Sequence, residues 1–175
     1  MGLREVRKEL TELEKEELIF HISELYKKYK DVKEYFDFYA NPNEENILEK
    51  FKARVHEGFY PSRGWRLKLY RSRKAINEFK KLGISPEADA ELLLYFSEVA
   101  VNYAKEKKTK TESFYIRLEN SFEKALEYMQ KNGLLEQFKL AAENVVERSE
   151  NFPWNCGKNV ASTFSAYYGR LTTND

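Results

Sequence analysis

Apolar residues recur along this chain at helical spacing with few interruptions. Leu18, Ile22, Leu25 and Tyr29 follow steps of four, three and four residues, which line one face of a helix. The same texture runs from Leu3 to Tyr39, with a break expected near Leu13 to Lys15. "ANPNEEN" then predicts a helix start, with Asn41 as N-cap, Pro42 at the first helical position and Glu44 three residues after the cap. That helix is expected to end at Gly58, just ahead of Pro61. Between Pro61 and Lys68 the apolar positions change rhythm: Trp65, Leu67 and Leu69 alternate with Arg66, Lys68 and Tyr70. One short extended segment is compatible with this pattern, but alone it cannot build a sheet.

Helical spacing resumes from Leu69 to Leu82 and stops at Gly83. Ser85 as cap and Pro86 just inside predict the next helix, which runs to about Lys107. Thr109 and Glu112 have capping-box spacing ahead of a helix ending near Asn132, with Gly133 at the expected left-handed position. A further helix is predicted from Leu134 to Ser149, "NFPWNCGKN" as a turn, and a last helix from Asn159 to Arg170. No strand pattern competes. The expected fold is therefore all-α, a single domain over residues 1–175 with about seven helices.

Two arrangements of those helices fit. Leu48, Phe51, Val55 and Phe59 share their spacing with Leu92, Tyr95, Val99 and Tyr103, and again with Leu135, Phe138, Ala142 and Val146. The starts lie 44 and 43 residues apart, a period found in stacked helix pairs of the HEAT or TPR kind. Any amphipathic helix carries the same spacing, however, so an irregular helical bundle fits equally.

Composition narrows the chemistry. The single cysteine, Cys156, rules out an intramolecular disulfide and a four-cysteine zinc site. Charged residues make up 34% of the chain against seven Gly and four Pro, as helices require. "MGLREVRKEL" lacks the apolar core of a signal peptide, and no apolar run approaches the roughly 18 residues of a membrane span. A soluble cytoplasmic protein without membrane contact is expected.

Charge is unevenly distributed. Residues 61–81 hold eight cations against Glu78, a local charge of +7, so a chain whose total is +1 carries −6 elsewhere. Arg63, Arg66 and Lys68 precede the helix beside Trp65, and Arg71, Arg73 and Lys74 lie on it, followed by Lys80 and Lys81. With Leu69, Ile76 and Phe79 facing the core, Arg73 and Lys80 fall on one flank, and Arg71, Lys74 and Lys81 on the other. Arginine forks suit phosphate and carboxylate, aromatic neighbours permit base stacking, and Ser72 could cap the helix start. These cations could equally face acidic helices of the same molecule, such as residues 14–17 and 44–49. The near-neutral total argues against general nucleic-acid binding, and no zinc-finger, RNP or helix-turn-helix signature is present.

Other candidates read as structural. Cys156 stands near a helix start, where a thiolate would be favoured, but beside Trp154 it reads as a small packed residue. Glu17 and His21 have the spacing of two ligands on one helix face, yet neither a Glu-x-x-His pair nor a His-Glu-x-x-His run occurs. His21, between Phe20 and Ile22, reads as a packed or boundary histidine. Tyr35, Phe36, Phe38 and Tyr39 cover more than one helix face, which suits internal packing or an interface with another subunit. No Walker loop, Rossmann glycine pattern or Gly-x-Ser-x-Gly elbow is found, and no cofactor is expected.

"KEEL" at 15–18, "EYFDFYANPNEE" at 34–45, "GFYPSRG" at 58–64 and "RKAINEFKKLG" at 73–83 resemble a bacterial family of unknown function, DUF6155. The resemblance implies a stand-alone soluble helical protein and supplies no catalytic residue or ligand. The sequence thus favours a non-catalytic binding or scaffold module using Arg63, Trp65, Arg66, Lys68, Arg71, Arg73 and Lys74. Its partner would be a protein or a second copy. The alternative is a nucleic acid or phosphorylated ligand bound by the same segment.

Overall fold

The computed structural model describes residues 2–40, 43–64 and 66–169, with the side chain of Phe38 left out. Among the described residues the chain is all-α, with nine helices and no strand. It divides into two compact units, Met1–Asn43 and Glu44–Asp175. The first holds α1 (Leu3–Thr11), α2 (Lys15–Lys28) and α3 (Lys30–Ala40). The second holds α4 (Glu44–Phe59), α5 (Leu69–Leu82), α6 (Pro86–Lys107), α7 (Glu112–Lys131), α8 (Leu135–Ser149) and α9 (Cys156–Tyr168). No helix among the described residues is long and apolar enough to cross a membrane.

The helix count exceeds the expected seven because the N-terminal text breaks twice. The break between α1 and α2 falls where the sequence placed it, and the Glu14 N–H donates to Glu17 Oε2 at 3.0 Å to open α2. The second break is at Tyr29, which leaves the helical region at φ −119° and ψ 121°. Lys27 and Lys28 occupy the last turn before it, where cations complement the helix dipole. The chain turns back there, α2 packs on α3, and Tyr26 OH donates to Asp37 Oδ1 at 2.6 Å. Asn41 and Pro42, the expected start of α4, lie outside the described residues.

In the second unit α6 is the centre. Ala88, Leu92, Phe96, Val99 and Val101 are all buried, so the helix is covered on more than one side. Its start is as expected, with Ser85 Oγ accepting the Ala88 N–H at 3.2 Å ahead of Pro86. Helices α4 and α8 both pack on α6, while α5 packs on α4, α7 on α6, and α9 on α8 and α7. Helix α5 also touches α6, so α5 and α7 flank it.

The α4–α5 pairing is close because Gly58 carries no side chain: a Cβ there would overlap Ser72 Oγ and come within 3.1 Å of the Ser72 backbone nitrogen. Ser72 is therefore not the cap of α5. It is fully buried and donates to the Val55 carbonyl at 2.7 Å, while Lys68 holds the N-cap position. The connector before it is bent rather than extended, with Gly64 at φ +84° and the Lys68 N–H donating to Gly58 O at 2.8 Å.

Two further boundaries differ from expectation. Thr111, not Thr109, precedes α7; the Thr109 carbonyl instead accepts from Tyr115 OH at 2.6 Å. Helix α9 begins at Cys156 because Asn155 adopts φ 58° and Gly157 brings the helix start against the end of α8. A Cβ at Gly157 would stand 2.6 Å from Ser149 O. The expected end at Arg170 lies outside the described residues.

Candidate functional site

Burial of Ser72, Ala75, Ile76, Phe79 and Leu82 fixes the rotation of α5 and so decides where its cations go. They separate onto the two flanks that the helical wheel predicts. On the flank facing α4, Arg71 Nη1 lies 3.7 Å from Glu57 Oε1, and Lys74 Nζ lies 3.6 Å from Glu78 Oε1. Glu78 also pairs with Arg54 of α4. Arg71 further donates to Tyr70 OH at 3.3 Å. These cations do meet acids of their own molecule, but the acids are Glu57 and Glu78.

On the connector, Arg63 and Arg66 are exposed. Lys68 is half-buried, and its Nζ donates to the Arg63 carbonyl at 3.2 Å. Trp65 lies outside the described residues. The structure thus divides the six described members of the predicted group rather than bringing them together.

The other flank of α5 opens on a cleft of about 420 Å³ between α5 and α7, floored by α6. Arg73 enters it from α5, and Arg117 and Lys124 from α7. Asn77, Asn120 and Ser121 line the sides, and Ile76, Leu93 and Phe96 form the apolar base. Among the described residues no Asp or Glu lines this cleft. Among the described residues Arg73, Arg117 and Lys124 form no ion pair, in contrast to Arg71 and Lys74.

One turn beyond the cleft the three helices are tied together. Lys80 Nζ sits 4.3 Å from the Tyr128 ring centroid, and Tyr128 OH donates to Asp89 Oδ2 at 2.9 Å. Burial pushes the Asp89 carboxyl above its usual range, while the Tyr128 hydroxyl and Lys80 act against that rise. Burial and the Asp89 carboxylate together push the Tyr128 phenol up to about 12. At the opposite side Ser97 of α6 and Ser121 of α7 approach to 3.3 Å.

Arg117, Asn120, Ser121 and Lys124 escaped the sequence reading, although a signal for them exists. They stand at steps of three, one and three on α7, which places them on one face. Glu112, Glu119, Glu123 and Glu127 occupy other positions of the same helix. Charge is segregated around α7, just as it is along the whole chain.

Of the remaining candidates, Cys156 and Glu17 are structural groups, whereas His21, expected to be packed or at a boundary, is exposed. Cys156 is fully buried, and burial with the nearby Glu119 carboxylate pushes its thiol up to about 12, leaving no reactive thiolate. Glu17 is committed to capping α2, and His21 is exposed with its ring edge-on to Phe20 at 5.8 Å. Among the described residues no group of three or more His, Cys, Asp or Glu is placed to hold a metal ion. Tyr35 packs edge-on to Phe36 at 5.3 Å, yet Tyr35 is 44% and Tyr39 74% exposed, so these rings are not a buried core.

No curated protein and no solved structure matches this chain. The model of a family of unknown function, DUF6155, matches residues 1–167, which spans both compact units and includes the words that carried the resemblance. The chain belongs to the DUF6155 family.

Proposed function

We propose that this protein is a non-catalytic binding module that takes an anionic ligand or partner in the cleft between α5 and α7. The observation that carries the reading is the convergence of Arg73, Arg117 and Lys124 on one concavity that no acid lines. On the flank of α5 that faces α4, Arg71 and Lys74 are matched by carboxylates, so three cations without an ion pair in one place form a distinct electrostatic feature. The volume falls within the roughly 300–1,000 Å³ of small-ligand sites. Among the described residues the lining includes no carboxylate, imidazole or thiol, and so no base beside Ser121. That donor set suits binding rather than acid–base or nucleophilic turnover. We also read the packing of α4 to α9 as a short stack of antiparallel helix pairs, in which separation of α5 from α7 leaves the cleft open.

A second reading keeps the connector as the contact surface, favoured by the exposure of Arg63 and Arg66 on a loop bent at Gly64. It would suit a protein partner or a nucleic-acid backbone. One experiment separates the two. Binding of pyrophosphate is measured by calorimetry at low salt for Arg117→Glu with Lys124→Glu, and for Arg63→Glu with Arg66→Glu. Loss of binding only in the first pair supports the cleft. Loss only in the second moves the site to the connector, and absence of binding by the unaltered protein removes the anion reading.

A further inference from the structure

The cleft combines two chemistries that a bare anion would not use together. Its rim is cationic, and its base is the apolar surface of Ile76, Leu93 and Phe96. Leu93 is half-buried, while Phe96 and Ile76 are buried, so the base is a packed platform with Leu93 as its more open part. We propose that the cleft binds a phosphate monoester carrying a ring-sized apolar body, with the phosphate held by the arginines and the ring laid on this platform. The inference rests on the anion-binding reading above and adds the identity of the ligand class.

Three features lead to it. Arginine presents a planar fork that engages phosphate oxygens in pairs, and here one arginine comes from each wall, so a tetrahedral group can be gripped from two sides. A monoester dianion answers two arginines better than a carboxylate does. Second, Arg117 and Lys124 are seven residues apart on α7, roughly 10 Å along the helix axis, too far for both to centre on one phosphate. The space between them is bordered by Asn120 and Ser121, with Asn77 on the opposite wall. Amides supply both a donor and an acceptor, which suits the edge of a heterocycle or a sugar hydroxyl. Third, the Lys80–Tyr128–Asp89 tie bridges the three helices one turn past Lys124. A bridged end favours a ligand of limited length over a continuous strand.

Calorimetry on the full chain tests this with inorganic phosphate, phenyl phosphate, phenol, a nucleoside monophosphate and a 5′-phosphorylated hexanucleotide. Phenyl phosphate should bind at least about tenfold tighter than inorganic phosphate, since the ring face leaves water for the platform. Leu93→Gln should bring those two affinities together, and Arg73→Gln with Arg117→Gln should weaken both. If Leu93→Gln fails to fold, the ratio in the unaltered protein decides. Equal affinity for the two phosphates overturns the ligand class and leaves a simple anion site. Phenol binding as tightly as phenyl phosphate overturns both readings, as does the absence of binding by every probe. A hexanucleotide bound far more tightly than the mononucleotide overturns the proposal in favour of a nucleic-acid strand. A mononucleotide bound more tightly than phenyl phosphate supports it and assigns the amides to the heterocycle.

Discussion

Gly58→Ala tests the contact that sets the rotation of α5, and with it the direction of Arg73. The new methyl would overlap Ser72 Oγ and lie 3.1 Å from the Ser72 backbone nitrogen. The hydroxyl can rotate away only by giving up its 2.7 Å bond to the buried Val55 carbonyl. Leaving buried polar groups unpaired costs about 1–3 kcal/mol, and residual crowding against the backbone a similar amount. Against this, replacing glycine with alanine in a helix returns at most about 1 kcal/mol. The net expectation is a loss of about 3 kcal/mol, or a fall in Tm of roughly 6–12 °C for a chain of this length. Urea unfolding should show a lower midpoint with an unchanged slope, because the exposed surface on unfolding is the same. Gly58→Ala combined with Ser72→Ala should cost less than the two single changes added together, since both act on one contact. An alanine variant as stable as the parent, or more so, would show that α4 and α5 do not approach this closely.

Three other outcomes follow from the same packing. Cys156 should resist Ellman's reagent at pH 8 in the folded protein and yield one thiol per chain in denaturant, since it is buried with its thiol raised to about 12. Burial raises the Glu98 carboxyl, against the pull of Lys52 and Arg148, so its charged form is disfavoured in the fold. The penalty is present at neutral pH and disappears as pH falls through the raised folded value. Glu98→Gln should therefore raise the urea midpoint at pH 7, with an advantage that shrinks toward pH 4. Tyr128→Phe removes the 2.9 Å bond to half-buried Asp89 and should cost about 1 kcal/mol in equilibrium unfolding.

What the sequence made legible was local. Helix α6 begins and ends where Ser85, Pro86 and Lys107 predict, because its cap and proline are short-range signals. Helix α5 was equally plain, from Leu69 to the left-handed Gly83. The Tyr29 break was not, since a tyrosine between lysines carries no breaker and the turn depends on α2 packing against α3. Ser72 misled for a related reason: serine near a helix start usually caps, but here Gly58 leaves room for it in the interhelical contact. The site divided in the same way. The helical wheel placed Arg73 and Arg71 on opposite flanks of α5, but it could not show that α7 lies across from Arg73. Arg117 and Lys124 are more than forty positions away in the chain, and only packing on α6 brings them to the same concavity.

The cleft also explains how a near-neutral chain can carry a strong local field. Arg71 and Lys74 face α4, which supplies Glu57 and, through Arg54, a shared hold on Glu78. Arg73 faces the part of α6 that presents Leu93 and Phe96, so the wall it meets has no carboxylate to offer. Keeping the three cations unpaired costs little while the cleft is wet. Arg117 and Lys124, roughly 10 Å apart along α7, repel in water by only about 0.4 kcal/mol. Their attraction for an anion grows once a ligand displaces water from the apolar base and lowers the local dielectric. The rim remains open to solvent, so approach of the anion should still be screened. The screening length shrinks from about 30 Å at 0.01 M salt to about 8 Å at 0.15 M. Phosphate affinity should consequently fall several-fold across that range, while Lys124→Gln should flatten the dependence. An affinity indifferent to salt would mean that the apolar base holds the ligand and the cations do not.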